Sequence, residues 1–331
     1  MTHLTLSARI ELFPYKKPFR ISGHVFTETA VVLVELSDGQ STGRGESAGV
    51  YYLNDDAAAI MAAIESVRPA IEAGATRQDL QALLPPGGAR NALDCAYWDL
   101  EAAQSGRPAW QLAGLQSPRQ LPTTITLGAD APEVMAAAAA TLDTHHIKLK
   151  LTGEAELDAA RVAAVRAVRP DAWIGVDANQ GYKADALPAL FDMLLTHSIA
   201  LLEQPLARGA EADMDEVDRP IPVAADESVL SLAEMDRLPG RFDVLNIKLD
   251  KCGGLTEALA MAGRAREMGL DVMVGNMMGS SLAMAPSFLL GQLCDVVDLD
   301  GPTFLATDRT PAVTYTDGKI DCPAELWGGA A

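Results

Sequence analysis

Between residues 123 and 301, short apolar runs alternate with longer stretches of helical periodicity. Eight of these runs have the length and apolar content of buried strands, from TTITLG at 123–128 to VVDLDG at 296–301. Five consecutive runs end in a charged residue, and from the first of these the steps are 27, 26, 23 and 22 residues: Lys150, Asp177, Glu203, Asp226 and Lys248. This spacing is typical of repeated strand-plus-helix units whose strand ends face the same way.

Eight such units predict the α/β class, with a closed parallel (β/α) barrel of the modified TIM-barrel kind. A doubly wound open sheet is the alternative architecture. It fits less well because charged residues lie at the C-terminal ends of many strands, where a barrel has its mouth. We therefore expect these charged residues to meet at one site.

The first third of the chain has a different pattern. Residues 3–13 alternate between polar and apolar, and strand-like runs at 30–36 and 41–46 flank Asp38-Gly39, a hairpin signal. Helical patterns follow at 55–73, 76–84 and 88–104. Strands followed by helices indicate an α+β unit.

These patterns divide the chain into two predicted domains. The first is an N-terminal α+β capping domain at 1–118, completed by the C-terminal segment 303–331, which contains another hairpin signal at Asp317-Gly318. The second is the barrel at 119–302, which carries the site.

Composition narrows the function classes. Apolar residues are 49% of the chain, and 45 Asp and Glu against 26 Lys and Arg give a net charge of −19, which repels nucleic acid and anionic membranes. No apolar run approaches the roughly 20 residues of a membrane span, and the N-terminal residues lack a basic-then-apolar signal pattern. The four cysteines match no disulfide or zinc spacing, so we expect free thiols in a cytoplasmic protein.

Three carboxylates end successive strand-like runs: Asp177, Glu203 and Asp226. Hard oxygen ligands without His or Cys favour Mg²⁺, which keeps coordination sites open for water or substrate. The alternative for any single one is an ion-paired or helix-capping acid. Three in register at the same strand position favour a metal site.

Two lysines lie two residues apart, Lys148 and Lys150, so their side chains point to the same face of a strand. Crowding two ammonium groups lowers the pKa of at least one, which prepares a general base. Lys248 belongs to a strand on the opposite side of the barrel, so a carbon held between Lys150 and Lys248 would meet a base on each face. The alternative is that the lysines only balance the carboxylates, a role that Arg takes more often.

Together these groups indicate proton abstraction from a carbon next to a carboxylate. Such a carbon is a very weak acid, so a metal must stabilise the charge that develops on the carboxylate oxygens as the enediolate forms. A base on one face would remove the proton, and an acid on the other would return it with inverted stereochemistry. A barrel that only binds a peptide or a metal is the hypothesis from another class, and the intact set of five charged positions argues against it.

Five motifs in this order resemble the enolase superfamily, specifically its muconate-lactonizing subgroup. They are KLK at 148–150, DAN at 177–179, EQP at 203–205, DES at 226–228 and NIKLDKCGG at 246–254. The resemblance implies that the three carboxylates bind Mg²⁺ and that Lys150 and Lys248 are the opposed bases. It also implies that Lys148 supports the substrate carboxylate and depresses the pKa of Lys150, and that Asn179 and Glu227 support the metal ligands from behind.

The last strand-like run contains Asp298 and Asp300, two residues apart. This pair resembles the signature of dipeptide epimerases, in which the acids hold the α-ammonium group of the substrate, a cation whose three donors paired carboxylates satisfy. The resemblance implies a Mg²⁺-dependent epimerase that inverts the α-carbon of the C-terminal residue of a dipeptide. The alternatives within the subgroup are N-acyl amino acid racemase, o-succinylbenzoate synthase and cycloisomerase.

The side chains of the dipeptide are expected to contact capping-domain loops at 18–28 and 49–56. Ala-Glu epimerases that resemble this chain place an Arg in the first loop, where Gly23-His24 stand here and Arg20 precedes them. Acids in the loops would favour cationic side chains, and apolar residues would favour apolar ones: Glu28, Glu46, Asp55 and Asp56 against Tyr51, Tyr52 and Leu53.

One more candidate lies in GNMMGSSLAMAP at 275–286. Ser280 and its neighbours are expected near the barrel mouth, where backbone N–H groups could cradle a carboxylate of the substrate. The sequence names neither the preferred dipeptide nor the pathway, and it leaves a homo-oligomer open.

Overall fold

The computed structural model describes residues 3–21 and 24–329 of the chain. Within them, three antiparallel strands form the N-terminal sheet: β1 (Thr5–Ile21), β2 (His24–Ser37) and β3 (Thr42–Ser47). The turn between β2 and β3 is stabilised by Asp38, whose Oδ1 accepts the backbone N–H groups of Gln40 and Ser41. The first strand is longer than predicted, so most of the expected loop at 18–28 belongs to the β1–β2 hairpin.

Among the described residues, four α-helices follow this sheet: α1 (Ala57–Glu72), α2 (Arg77–Leu83), α3 (Gly88–Ser105) and α4 (Ala109–Leu112). Apolar side chains of α1 and α3 pack against alternate residues of β2, among them Val32, Val34 and Leu36. The approach of α3 to β3 requires glycine, because a Cβ added at Gly45 would lie 2.0 Å from the carbonyl oxygen of Ala92. The predicted α+β unit is confirmed.

Eight parallel strands form the second sheet within the described residues. They neighbour one another in chain order: β5 (Ile125–Leu127), β6 (His146–Lys150), β7 (Trp173–Asp177), β8 (Leu201–Glu203), β9 (Val223–Ala225), β10 (Val244–Ile247), β11 (Asp271–Val274) and β12 (Val296–Val297). The backbone N–H of Thr124, just before β5, donates to the carbonyl of Val297 at 3.0 Å and joins the two edges. The predicted parallel barrel is confirmed.

Helices lie between most of these strands: α5 (Pro132–Ala140), α6 (Ala155–Val168), α7 (Leu187–Thr196), α8 (Leu249–Cys252), α9 (Leu255–Glu267) and α10 (Ser281–Gly291). Strands β8 and β9 are followed instead by 3₁₀ helices at Glu211–Met214 and Leu232–Arg237. Between β8 and β9 the chain contains Pro205, Pro220 and Pro222, which disfavour a regular helix. No described helix is both long and apolar enough to cross a membrane.

The inside of the barrel is closed at the N-terminal ends of its strands. A small apolar cluster fills it there, formed by Leu201, Ala224, Val244 and Met273. The larger core lies between the strands and the helices around them. The three carboxylates Asp177, Glu203 and Asp226 lie at the C-terminal ends of the strands, which face the capping domain.

The C-terminal segment contacts both parts of the chain. Strands β13 (Thr314–Thr316) and β14 (Lys319–Asp321) form the predicted hairpin, and β14 pairs with β4 (Leu121–Pro122). Trp327 donates its indole N–H to carbonyls of the capping domain, at Arg44 and Cys95. The division into 1–118 with 303–331 and 119–302 stays a prediction.

Candidate active site

Three buried carboxylates meet at the C-terminal ends of β7, β8 and β9. Asp177 and Glu203 are the last residues of their strands, and Asp226 directly follows β9. One carboxylate oxygen of each lies within 4.8 Å of the others. The parallel register pairs Lys150 with Asp177 and Asp177 with Glu203, which explains why residues 26 and 27 positions apart reach one point.

The residues present fit a divalent metal ion. Glu203 Oε2 is buried and accepts no hydrogen bond, although Lys148 Nζ lies 2.8 Å away, while Oε1 accepts the Asn246 amide at 2.9 Å. Burial and the negative charge of Asp177 raise the pKa of Glu203 to about 7. Glu203 Oε2 is thus a buried acceptor that no described donor satisfies, and the all-oxygen donor set matches the preference of Mg²⁺.

Two lysines contact different carboxylates of this cluster. Lys150, on β6, donates from Nζ to the Asp177 carboxylate at 2.5 Å. Lys248, at the end of β10, donates from Nζ to the Asp226 carboxylate at 2.6 Å. Strands β6 and β10 are separated by three strands on one side of the barrel. The two ammonium groups thus approach the cluster from different sides, as the opposed-base prediction requires.

Lys148 lies deeper than Lys150. Its Nζ is within 3.3 Å of Asp177 and 2.8 Å of both Glu203 and Asp298. Burial lowers the pKa of Lys148, but these three carboxylates raise it more, so it lies well above the ordinary value. We expected crowding to lower the pKa of at least one lysine of this pair; Lys148 is not that lysine, because carboxylates outnumber ammonium groups around it.

A fourth lysine, which the charged strand ends did not indicate, also binds the cluster: Lys251 Nζ donates to the carboxylate and the carbonyl of Asp226, both at 2.6 Å. Burial raises the pKa of Asp226, but Lys248 and Lys251 outweigh it and hold that pKa well below the ordinary value. Lys251 lies three residues after Lys248, on the one-turn helix α8. The i,i+3 spacing was its only signal.

Asn179 and Glu227 lie beside the carboxylate cluster. Asn179 has a left-handed backbone (φ 42°), and its N–H donates to Asp177 Oδ1 at 2.9 Å. Its amide is 3.5 Å from Glu227 Oε1, and Glu227 Oε2 accepts no hydrogen bond. Burial and the charge of Asp226 raise the pKa of Glu227 to about 8.

Asp298 and Asp300 lie just past β12, are buried, and line a cavity between the N-terminal domain and the barrel mouth that Lys148 and Lys150 also line. Asp298 accepts the Lys148 ammonium at 2.8 Å and the Thr124 hydroxyl at 2.5 Å. Asp300 accepts the backbone N–H of Thr126 at 2.6 Å, and no described cation binds it. Burial and the charge of Asp298 raise the pKa of Asp300 to about 6. Asp300 is therefore the carboxylate of the pair that is open to a new cation.

Two predicted substrate-binding residues lie away from the cavity. The Arg20 side chain is half exposed, and its guanidinium lies 3.9 Å from Asp130. Ser280 is buried, caps α10, and donates both its N–H and its hydroxyl to Glu46. The backbone N–H groups at 280 and 281 do bind carboxylates, but those of the protein itself.

The capping-domain acids have mostly structural partners. We expected Glu46 to be one of the acids that favour a cationic side chain of the substrate. It is buried and forms an ion pair with Arg309, so it is not available to a substrate cation. Asp56 caps α1, and Asp55 accepts the N–H of Gly88 at the start of α3. Glu28 is exposed at the cavity rim. Gly23 lies outside the described residues.

A cavity of about 300 Å³ lies between the capping domain and the barrel mouth. Its floor contains the lysines and carboxylates described above. Its walls contain aromatic and apolar side chains from the capping domain and the loop after β11: Tyr15, Phe19, Phe26, Tyr51, Tyr52, Met277 and Met278. The sequence analysis named Tyr51 and Tyr52. Phe19 and Phe26 lie within the predicted loop 18–28, and Met277 and Met278 within the segment 275–286, but none of these four was singled out.

Fold and site together define a class: a parallel barrel with a capping domain, a carboxylate metal site and lysines at the barrel mouth. Models of two protein families match the chain, "Mandelate racemase / muconate lactonizing enzyme, N-terminal domain" over residues 5–114 and "Enolase C-terminal domain-like" over residues 132–325. The chain belongs to the enolase superfamily, in its mandelate racemase and muconate lactonizing enzyme branch.

Individual relatives have names that describe epimerases and racemases. An L-Ala-D/L-Glu epimerase of Escherichia coli is 40% identical over 94% of this chain and 97% of its own length. An N-acetyl-D-glutamate racemase of a Pseudoalteromonas species is 41% identical over 75% of this chain and 78% of its own. The crystal structure of a dipeptide epimerase from Methylococcus capsulatus, complexed with Mg and L-Arg-D-Lys, has a TM-score of 0.88 at 29% identity, covering 98% of each chain.

Proposed function

We propose that this protein is a Mg²⁺-dependent dipeptide epimerase that inverts the α-carbon of the C-terminal residue. The observation that carries the proposal is the arrangement of two lysines on different sides of one buried carboxylate cluster, with Asp300 open to a cation at the rim. The dipeptide epimerases among its relatives support the same reaction.

In this proposal Asp177, Glu203 and Asp226 hold the metal. When bound, Mg²⁺ supplies the positive charge that stabilises a substrate carboxylate as negative charge develops on it. Asn246 orients Glu203, and Lys251 orients Asp226, through the hydrogen bonds described above. These contacts set the direction in which the carboxylates face before substrate arrives.

Lys150 and Lys248 are the proton carriers. One of them, in its neutral form, removes the α-proton from one face of the substrate, and the other, as an ammonium, returns a proton to the opposite face. In the reverse direction their roles exchange. Burial lowers the pKa of Lys248, but Asp226 and Glu203 raise it well above its ordinary value. These carboxylates favour the ammonium form of Lys248, which is the form that donates a proton.

The substrate ammonium is held at the rim by Asp300, with Asp298 beside it. Lys148 neutralises Asp298 and lies where it also faces the substrate carboxylate. A second candidate function is racemisation of N-acyl amino acids, which the N-acetyl-D-glutamate racemase relative favours. An N-acyl group carries no ammonium, so the buried carboxylate of Asp300, which no described cation binds, favours a dipeptide.

Deuterium incorporation in D₂O separates these functions. With Mg²⁺ and a panel of dipeptides, we expect α-deuteration with inversion at the C-terminal residue, and at least 100-fold slower exchange with N-acetyl amino acids of the same side chain. Exchange into N-acyl substrates at equal or higher kcat/KM would reject the dipeptide proposal. Failure of every substrate of both classes would reject proton transfer altogether.

Replacing the acids at the rim provides the matched test. Asp300→Asn is expected to lower kcat/KM for dipeptides about 10²-fold, because an ammonium loses its charged partner, while exchange of N-acyl substrates stays the same or rises. Asp192→Asn, at an exposed position on α7, is the control for the same chemical change. Unchanged dipeptide turnover in Asp300→Asn would remove the proposed ammonium site.

We also propose that the protein works in the cytoplasm. All four cysteines are free, and Cys95 and Cys252 are buried in the core. Free thiols are typical of proteins kept in a reducing compartment. Fractionation with an antibody against the native protein tests this proposal, and recovery outside the cytoplasmic fraction would contradict it.

A further inference from the structure

The charged groups of the cavity orient a dipeptide before its side chains are considered. The substrate carboxylate faces the cluster of Asp177, Glu203 and Asp226, and the ammonium faces Asp300. The α-carbon lies between Lys150 and Lys248, and it becomes planar when its proton is removed. Its side chain then lies in the plane between the lysines, directed away from both the carboxylate cluster and Asp300.

The aromatic wall, defined here as Phe26, Tyr51 and Tyr52, occupies that direction. Tyr51 and Tyr52 line the cavity together with Asp226, Glu227 and Lys248, which follow β9 and β10. Burial, together with the charges of Glu227 and Asp226, raises the pKa of both tyrosines. Asp300 follows β12, on another side of the barrel mouth.

The aromatic wall is held together by ring contacts. Phe26 meets Tyr51 edge to face with centroids 5.3 Å apart, and Tyr51 meets Tyr52 at 5.2 Å. The His24 ring stacks on Phe26 with an interplanar angle of 10° and meets the edge of Tyr51 at 4.9 Å. These contacts form a preformed aromatic surface, which suits another ring better than a charged group.

The described charges around the cavity leave no cation for a side-chain carboxylate. Its described lining contains three cationic side chains, and all three are bound to carboxylates: Lys148, Lys150 and Lys248. Arg208, whose charge lowers the pKa of Tyr52, lies outside the cavity lining. Its guanidinium donates to both carboxylate oxygens of Glu234. Residues 21–23, outside the described lining, are Ile, Ser and Gly and carry no ionisable side chain.

The charge that does face this space is negative. Glu28 lies at the rim of the cavity, exposed and without a described ion pair. A glutamate side chain in the substrate would lose hydration against the aromatic wall and approach Glu28 without gaining a counter-charge. An aromatic side chain would instead bury its ring against Phe26 and Tyr51.

We propose that the residue epimerised by this enzyme carries an aromatic side chain, and that the aromatic wall selects it against glutamate. This inference rests on the proposed function. It assigns this chain a substrate different from that in the name of its Escherichia coli relative. Phe26 and Tyr51 are the specificity-determining residues.

A comparison of three dipeptides tests the inference on the intact enzyme with Mg²⁺. We expect kcat/KM for L-Ala-L-Phe to exceed that for L-Ala-L-Glu at least tenfold, and to exceed that for L-Ala-L-Lys. Equal or faster turnover of L-Ala-L-Glu would overturn the inference and leave the proposed function intact. Fastest turnover of L-Ala-L-Lys would also overturn it, by assigning selection to Glu28. No deuterium exchange with any of the three would reject the proposed function itself.

Adding a guanidinium to the aromatic wall tests its location. Phe26→Arg is expected to shift the ratio of kcat/KM between L-Ala-L-Glu and L-Ala-L-Phe at least tenfold towards glutamate. Val25→Arg, at the neighbouring residue of β2, is 53% exposed, does not line the cavity, and is the matched control. An equal shift in both variants, or none in Phe26→Arg, would place selection elsewhere.

Binding provides a readout besides turnover. Calorimetric titration of the Lys150→Ala variant with the same dipeptides in Mg²⁺ is expected to show tighter binding of L-Ala-L-Phe than of L-Ala-L-Glu, and Phe26→Arg in that background is expected to reverse the order. Thermal unfolding establishes that each variant is folded. If Phe26→Arg does not fold, the comparison of the three dipeptides with the unaltered enzyme tests the proposal by itself.

Discussion

Each of the two proposed bases is bound to a carboxylate on its own side of the barrel, Lys150 to Asp177 and Lys248 to Asp226. A side chain that only balanced charge could be exchanged for another cation at little cost. A base cannot, because its nitrogen must reach the α-carbon from one particular face. A charge-balancing role and a role as base therefore predict different effects of each single substitution on proton transfer at each face of the substrate.

Lys150→Ala is expected to lower the rate of epimerisation at least about 10³-fold, because one of two required proton transfers loses its base. Lys248 should still exchange the α-proton of one diastereomer without inversion. Lys248→Ala should show the mirror-image result. Proton NMR in D₂O, starting separately from the L,L and L,D dipeptides, measures both processes.

The control for this pair is Lys183→Ala, at an exposed position outside the described cavity lining. It should turn over dipeptides like the unaltered enzyme. Epimerisation near the unaltered rate in either Lys150→Ala or Lys248→Ala would contradict the two-base scheme.

At the scale of elements, β3 and α3 are packed more closely than side chains allow. The sequence TGRGES places glycine at 43 and 45, and both face α3, where an added Cβ would lie 2.2 and 2.0 Å from backbone oxygens. The approach matters for the site, because β3 continues into the loop that carries Tyr51 and Tyr52.

Gly45→Ala is expected to reduce the free energy of unfolding by about 3 kcal/mol, because β3 must move away from α3 to make room for the methyl group. Gly263→Ala, in α9, is the control, since nothing lies within 4 Å of its added Cβ. That substitution should stabilise by roughly 0.5–1 kcal/mol through the higher helix propensity of Ala. Urea denaturation measures both, and equal stability of the two variants would contradict the packing argument.

The contact between the capping domain and the barrel depends on buried carboxylates at the scale of the whole molecule. Asp250, on α8, accepts the Ser47 hydroxyl at 2.6 Å and the N–H groups of Ala48 and Gly49 at 3.0 Å. Burial raises the pKa of Asp250 to about 6 from an ordinary value of 3.8. Asp94 on α3 has a pKa raised by burial to about 6 and binds Thr256 of the barrel in the same way.

A raised carboxyl pKa means that the folded protein binds the proton more tightly than the unfolded chain does. The contribution of Asp250 to the free energy of unfolding should therefore rise as the pH falls from about 6 towards 3.8, by about 3 kcal/mol at most. Above pH 6 the ionised group costs stability. Asp250→Asn, which keeps an acceptor oxygen, should remove this part of the pH dependence.

Urea denaturation at pH 4.5 and pH 7.5 measures the difference between Asp250→Asn and the unaltered protein, in which the other groups cancel. Asp236→Asn, on a largely exposed side chain, is the control and should leave the pH dependence unchanged. The linkage argument fails if Asp250→Asn shows the same pH dependence as the unaltered protein.

Metal binding should also stabilise the whole fold, because the three carboxylates belong to three different strands. At a Mg²⁺ concentration 100 times the dissociation constant, the gain is about 2.7 kcal/mol. We expect the melting temperature to rise with Mg²⁺ and the rise to be lost on chelation with EDTA. Glu203→Gln should weaken this response; an equal Mg²⁺-dependent shift in that variant would place the metal elsewhere.

The barrel and its charged mouth were predictable because both depend on local patterns. Strand length, helical spacing and the charge at each strand end are each determined by a segment of about 25 residues. Parallel strands then bring their C-terminal ends together whatever the other segments contain. The positions of Ser280, Glu46 and Arg309 were not predictable. They contact one another across 234 and 263 residues of chain, and no periodicity links such distant segments.

By itself the sequence determined the capping domain, the eight parallel strands and the residue types at their ends, because apolar periodicity and strand-end charge are local properties. The tertiary structure alone decided which of these groups stay open. It bound Ser280 to Glu46, neutralised Asp298 with Lys148, left Asp300 without a described cation, and assembled Phe26, Tyr51 and Tyr52 into one wall. Hydrogen-bond partners and ring contacts are set by packing between distant segments, and that packing exists only in the folded chain.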